Sequence, residues 1–409
     1  MDTPQPNPVK DLIDWLLARG LEGTQQGALL ESYCEQLIAM GVPLIRLHVA
    51  QRAFHPEYGG LGFDWLRDGG FSDEHYAYTE TPRQRWVVSP FYMMLREAKW
   101  EYRERIGEPD HHSSFPLLQE LQEQGATDYL ASAVLFQRPE PDQPMDPHDT
   151  PEGMLISWVT DAPGGFREDH VALLRGSLPA LGLALKSASN RKMARDLMQV
   201  YLGRDAGKRV LSGEIRRGSL RSLDAVICLF DLKGFTVMTE QYPGPVVVEM
   251  LNDYFALAVE TVRRHGGHVL KFMGDGMLAM FDHDDASEAA SAALDAAVDL
   301  AEGMQRRSTD RAARGVPQTG FSLALHAGEI LYGNIGADSR LDFTVIGAAV
   351  NQTARMGSMH AALGRDIVIS QALVDAARAT PHDVVALGRY MLRGVSEPQT
   401  LYTLYFSEN

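Results

Sequence analysis

Two aspartates stand where carboxylates could do chemistry. Asp231 closes the apolar run 225–230, and Asp275 lies between Gly274 and Gly276. A carboxylate at the mouth of a buried strand is costly to keep ionised unless a cation or hydrogen bonds compensate it. Such oxygen ligands suit a divalent metal that keeps water and substrate phosphates as its other ligands. Gly234, Phe235 and Thr236 follow Asp231 in a turn leading toward a helix, and their backbone N–H groups could receive phosphate. Read alone, the segment Asp231-Leu-Lys-Gly-Phe-Thr could equally be a plain β-turn. Asn351 and Arg355 are four apart in a stretch patterned as a helix, so they share a face on which Val350 and Ala354 do not lie. An amide beside a guanidinium could orient a ribose and take up charge building on a phosphoryl group; the plainer reading is a solvated helix face. His326 could act as acid or base, but it ends the strand 321–325 and reads as structural.

The elements that must position these groups follow from patterning. A continuous apolar run at 225–230 is a strand buried on both faces. Val247, Leu251, Tyr254, Ala258 and Val262 mark one helix face ending at Gly266-Gly267. The runs 269–272 and 277–281 flank Gly274-Asp275-Gly276, a hairpin signal. Further segments are an alanine-rich helix at about 287–305, a strand at 321–326, a glycine-punctuated stretch at 328–336, a strand at 341–346, a helix at 348–363 and a last strand at 401–406. The order gives an antiparallel-rich α/β sandwich.

The first part of the chain reads differently. Residues 1–8 form a polar, proline-rich tail, followed by helical patterning from Lys10 and again over 26–40. A strand is expected at 43–53, with Ile45, Leu47 and Val49 toward the core. Glycine pairs at 59–60 and 69–70 suggest hairpins, and 86–88 and 91–95 suggest strands or buried segments. Helical spacing at 115–124 and strands at 129–136 and 154–159, the last two separated by an acidic proline-rich loop at 138–152, complete an α+β sensory-type region. Residues 166–201 are mainly helical, with Pro179 expected to end, kink or open a helix. That helix could pack on its own domain or form a dimer seam.

Composition narrows the classes. The chain has 409 residues, 45% hydrophobic and 22% charged, with a net charge of −16, which disfavours nucleic acid as a partner. A polyphosphate would need metal ions and local basic groups to enter against this field. Two cysteines, Cys34 and Cys228, imply no disulfide framework, and Cys228 reads as core. The first residues lack a signal-peptide pattern and no apolar run reaches the roughly 20 residues that cross a bilayer, so a cytoplasmic protein without a membrane span is expected.

The segments from about Leu223 onward resemble the catalytic domain of the class III nucleotidyl cyclases. The likeness rests on Phe230-Asp231-Leu-Lys-Gly-Phe-Thr, Lys271-Phe-Met-Gly-Asp275-Gly, His326-Ala-Gly-Glu, Gly333-Asn-Ile-Gly, Thr344-Val-Ile-Gly, Asn351-Gln-Thr-Ala-Arg355 and Leu392-Arg-Gly-Val-Ser-Glu-Pro, in that order. It implies a ferredoxin-like catalytic domain over 218–409. Asp231 and Asp275 would be the metal ligands, for two Mg2+ or Mn2+ per active site. Lys271 and Thr344 would read the purine; lysine with threonine goes with adenine in the family, whereas glutamate with cysteine goes with guanine. Asn351 and Arg355 would be the ribose-orienting and transition-state residues, and Arg393 would contact the terminal phosphates. Leu229, Phe230 and Ala348 depart from the commonest family pattern, at positions without catalytic side chains.

The resemblance implies adenylyl cyclase activity on ATP, in a head-to-tail homodimer whose hairpins each give Asp275 to one site and Lys271 to the other. A guanylyl cyclase and a non-catalytic nucleotide-sensing module are the alternatives. The stretches 158–166 and 201–211 look like the regulatory regions of proteobacterial cyclases, so residues 1–165 are expected to be a GAF-like regulatory domain receiving an unknown ligand or protein, with 166–217 as a helical transducer. His111-His112 reads as a polar loop rather than a metal site.

Overall fold

A computed structural model of the chain describes residues 7–79, 84–108, 110–136, 152–377 and 380–406. The expected tail at 1–8 and loop at 138–152 lie almost wholly outside them. The chain divides into two compact units, 1–197 and 198–409.

The first unit contains α1 (Pro8–Glu22), α2 (Gln26–Ala39), β1 (Leu44–Arg52), β2 (Tyr58–Leu66), β3 (Gly70–Ala77), α3 (Gln84–Val87), α4 (Pro90–Arg96), β4 (Glu101–Arg105), α5 (Pro116–Glu123), β5 (Asp128–Leu135) and β6 (Gly153–Thr160), and ends in α6 (Glu168–Leu202). Its six strands form one sheet in the order β3-β2-β1-β6-β5-β4. Leu12, Leu30, Tyr33, Leu47 and Leu181 pack α1, α2 and α6 on one face, while Phe91, Met94, Leu118 and Leu121 pack α4 and α5 on the other. This is the α+β domain that the GAF-like resemblance calls for.

Local details depart from the patterning. The pairing of β1 with β6 shifts register between Leu44 and Arg46, so Leu47 and Val49 enter the larger core while Ile45 joins the opposite face. Gly69-Gly70 does sit at a hairpin turn, but Gly59-Gly60 lies within β2, where the Tyr78 and Tyr76 rings cover it. Residues 86–88 and 91–95 are not strands; Ser89 caps α4, its hydroxyl accepting from the Tyr92 N–H, and Phe91, Met94 and Leu95 are buried from that helix.

Helix α6 runs unbroken through Pro179. The lost hydrogen bond is offset by burial of Val171, Leu174, Leu181 and Leu185 on both sides of the proline. Its first half therefore packs on its own unit. Among the described residues it is the one helix long and apolar enough to cross a membrane by length and composition, and half of the window that qualifies is buried.

The second unit contains α7 (Arg204–Leu211), β7 (Leu220–Leu232), α8 (Phe235–Gln241), α9 (Gly244–Arg264), β8 (His268–Met273), β9 (Gly276–Phe281), α10 (Ala286–Ala313), β10 (Phe321–Ala337), β11 (Arg340–Ile346), α11 (Ala348–Gly357), α12 (His360–Leu363), β12 (Ile367–Ser370), α13 (Gln371–Ala377), β13 (Val384–Tyr390) and β14 (Gln399–Leu404). Seven strands follow the order β13-β14-β12-β10-β7-β9-β8, and β11 pairs with the far half of β10.

Strand β7 shows why its apolar run is continuous. Val226, Cys228, Phe230 and Leu232 pack toward α9 and α10, and Ala225 and Ile227 pack with Ala206 of α7 and Ala349 of α11 on the other face. Both cysteines are free and buried. Helix α10 outruns its expected end because Arg311, fully buried, bonds to Glu249 and Asp253 on α9. Strand β10 absorbs the glycine-punctuated stretch: a Cβ at Gly333 would fall on the carbonyl of Ser219, so glycine lets the neighbouring chain approach. The helix expected at 348–363 is divided into α11 and α12.

Candidate active site

Asp231 and Asp275 meet through the β7–β9 ladder. Asp231 pairs across the ladder with Gly276, and the Leu232 N–H donates to the Asp275 carbonyl at 3.1 Å. The turn between β8 and β9 needs Gly274 in the left-handed region, with φ 67°. A Cβ at Gly276 would sit 2.9 Å from Asp231 Oδ1, so glycine there makes room for the carboxylate. Partial burial, and then the charge of Asp275, raise the Asp231 carboxyl above its ordinary value. Among the described residues neither side chain has a cationic or hydrogen-bonding partner.

Two close, unneutralised carboxylates fit a divalent cation. Among the described residues no group of three or more acidic, histidine or cysteine side chains could hold a metal. Water and phosphate oxygens would therefore supply the remaining positions, as is usual for magnesium. Beyond Asp231, α8 starts at Phe235 with Gly234 in the left-handed region and no side-chain cap. The first N–H groups of a helix have no carbonyl within it to bond, which leaves those of Phe235 and Thr236 available at the carboxylate end of β7.

Lys271 occupies β8 just after a register shift between Val269 and Lys271. Its Nζ lies 3.4 Å from Asp342 Oδ2 on β11. Thr344, two residues farther along β11, is buried, and its hydroxyl has no partner. Lys271 of β8 thus reaches β11 at Asp342, two residues before Thr344, and sequence reasoning passed over Asp342. It carries no motif or spacing signal and becomes visible only when β8 and β11 are brought into one sheet.

Asn351 and Arg355 both project into solvent from α11, while Thr353 and Met356 are buried. Neither Asn351 nor Arg355 has a side-chain partner among the described residues. Val350 packs against the sheet, but Ala354 is exposed, contrary to expectation: it falls on the same open side as Arg355. Arg393 is exposed in the connection between β13 and β14, next to Gly394 with φ 76°. His326 is buried opposite Ile227, with Nδ1 unbonded, and burial lowers its pKa to about 4. It is held neutral in the sheet, as a structural histidine would be. His111 Nε2 lies 2.6 Å from Glu104 Oε1.

Residues 220–406 match the family model described as the adenylate and guanylate cyclase catalytic domain. An uncharacterised protein of Mycobacterium tuberculosis is 30% identical over 264 residues, 60% of this chain and 46% of the relative. An adenylate cyclase of Anabaena cylindrica is 27% identical over 214 residues, 51% of this chain and 42% of that protein. The chain thus spans about half the length of these curated relatives. Among solved structures, an adenylyl cyclase from P. aeruginosa aligns at 23% identity and a TM-score of 0.43, covering 46% of this chain and 97% of that one. A guanylyl cyclase aligns at 28% identity and 0.39, covering 46% and 94%.

Proposed function

We propose, for a chain whose residues 220–406 match the adenylate and guanylate cyclase catalytic domain model, that it converts ATP to 3′,5′-cyclic AMP and pyrophosphate as a homodimer regulated by its N-terminal unit. What supports the choice of ATP is that Lys271 reaches β11 at Asp342, two residues from Thr344. A lysine ammonium donates to the adenine N1, and the unpartnered Thr344 hydroxyl can accept from the exocyclic amine. Guanine carries N1–H and would oppose the lysine with a second donor. The adenylate cyclase of Anabaena cylindrica among the relatives agrees with this choice.

The ribose 3′-hydroxyl gives up its proton to solvent, its oxygen attacks the α-phosphorus, the bond to the bridging oxygen breaks, and pyrophosphate leaves. Asp231 and Asp275 would hold two divalent cations, Mg2+ or Mn2+, which when bound lower the pKa of the 3′-hydroxyl and offset phosphoryl charge. Asn351 orients the ribose, and the Arg355 guanidinium takes up charge on the phosphoryl oxygens. The open N–H groups at Gly234, Phe235 and Thr236 cradle phosphate, and Arg393 contacts its terminal end. No side chain is assigned as general base; a neutral His326 with a pKa near 4 is a poor one.

The dimer follows from reach. Asp275 neighbours Asp231, whereas Lys271, on the same hairpin, turns to Asp342. One hairpin cannot comfortably serve both ends of a single nucleotide, and a two-fold axis lets it serve two sites. Phe272 and Met273, between those residues, are 52% and 43% exposed, leaving apolar surface for a second copy to cover. Incubation with ATP or GTP and either metal tests the reading: cyclic AMP from ATP is expected, and preferential turnover of GTP would replace it with a guanylyl cyclase.

A further inference from the structure

We propose that the N-terminal unit binds a small organic anion with a flat apolar part, in the cavity between the start of α2, the β2–β3 hairpin and residues 188–196 of α6. This deepens the regulatory reading above, and rests on it only for the consequence of binding. The cavity measures about 600 Å³, the size of ordinary small-molecule sites.

Three features converge on it. The first is charge. Arg191 and Arg195 lie four apart on α6, line the cavity and have no ion pair or hydrogen bond among the described residues. Both arginines are exposed at the rim; of the other charged groups of the wall, Lys192 bonds to Asp196 at 2.6 Å and to the Tyr58 hydroxyl at 3.1 Å, and Asp73, 3.7 Å from His75, leaves one carboxylate against the two guanidinium groups. Two unmatched guanidinium groups facing one cavity, in a chain of net charge −16, concentrate a local positive potential. Their planar donors suit a carboxylate, sulfonate or phosphate.

The second feature is the backbone. Helix α2 begins in the cavity wall, and Gln25 gives it no side-chain cap. The N–H groups of its first turn, at Gln26 and Gly27, therefore have no partner within the helix and add to the attraction for an anion.

The third is an aromatic wall. Phe63 and Phe71 stack with centroids 6.1 Å apart and 28° between their planes. A Cβ at Gly27 would sit 2.9 Å from the Phe71 ring, so glycine lets the ring lie against the same helical turn whose N–H groups are open. A ligand can place its flat part on Phe71 and its charge toward Arg191 and Arg195. Arginines on a plain helix face would show neither the cavity nor the aromatic wall. From this site α6 continues unbroken to Leu202.

The probe is 8-anilinonaphthalene-1-sulfonate, titrated by fluorescence into the full chain without nucleotide, with hydrogen–deuterium exchange to locate it. Saturable binding is expected, with slowed exchange in 24–29 and 61–75. The double variant Arg191→Gln/Arg195→Gln should weaken affinity at least tenfold. Lys186→Gln, which removes a cation on the same helix that lies over Phe136, should leave affinity unchanged. Full affinity in the double variant, or protection confined to other segments, would overturn the proposal. Because the readout is binding, its failure leaves the cyclase reading standing, and an inactive catalytic domain leaves the cavity standing.

Discussion

Lys271 Nζ lies 3.4 Å from Asp342 Oδ2, across from β8 to β11. If Lys271 reads the base as proposed, the aspartate pre-orients it before any nucleotide arrives. Both partners are substantially exposed, at 38% and 60%, and an exposed pair is worth about 0–1 kcal/mol. Asp342→Ala should therefore raise KM for ATP by no more than about fivefold. Lys271→Ala should cost far more and reduce the preference for ATP over GTP. Steady-state kinetics with both triphosphates separates positioning from recognition; equal losses in the two variants would make Asp342 part of the recognition itself.

If Thr344 reads the base as proposed, it exchanges stability for recognition. Its hydroxyl is buried and unbonded, a condition that costs about 1–3 kcal/mol. Thr344→Val keeps the shape and removes the orphan. Chemical denaturation without nucleotide should show a gain of about 1 kcal/mol, while kcat/KM for ATP falls about five- to tenfold. A destabilised variant would mean that the hydroxyl has a partner, such as bound water, in solution.

Asp231 and Asp275 show the same opposition. Their mutual repulsion contributes to raising the Asp231 carboxyl. Asp275→Asn removes a like charge, so the metal-free protein should melt at a slightly higher temperature even as cyclase turnover is lost. Added Mn2+ should raise the melting temperature of the unsubstituted chain, and less so that of the variant. An unchanged response to Mn2+ in Asp275→Asn would remove that carboxylate from the metal site.

How far these relationships could be read from the sequence depends on whether they are local. The apolar run ending at Asp231 and the glycines around Asp275 both announce themselves within a few residues. The shared face of Asn351 and Arg355 follows from helical spacing alone. Asp342 gave no such signal, since its partner is 71 residues away and meets it only through the β7–β10 ladder. Arg311 was invisible as a core residue because a charge is buried only when distant carboxylates meet it, here Glu249 and Asp253. Pro179 is the complementary case: it neither ends nor opens a helix, because packing on both sides carries α6 through it. The shift that moved Ile45 to the other face of its sheet depends on pairing with β6, more than 100 residues away.

His326 supplies a pH signature. Burial lowers its pKa to about 4, against about 6.5 in an unfolded chain. Between these values the unfolded state binds a proton that the folded state refuses, so stability falls as pH drops from about 6.5 to about 4. The full span corresponds to about 3 kcal/mol. His326→Leu removes the titrating group, and the difference in unfolding free energy between variant and parent should change by about that amount across this range. A constant difference would show that the imidazole protonates freely in the folded state.

The shared hairpin makes the sharpest prediction. If each hairpin gives Asp275 to one site and Lys271 to the other, chains carrying Asp275→Ala or Lys271→Ala are each inactive alone. In a mixed dimer, the site receiving Asp275 from the first chain receives Lys271 from the second, so both lesions fall there. The other site is intact. Random pairing of equal amounts makes half of the dimers mixed, so about one quarter of the parental activity per chain should return. If Asp275 and Lys271 of one chain served the same site, every site would carry a lesion and mixing would restore nothing. Co-expression of differently tagged chains, followed by tandem purification, isolates the mixed dimer, whose activity should approach half that of the parent.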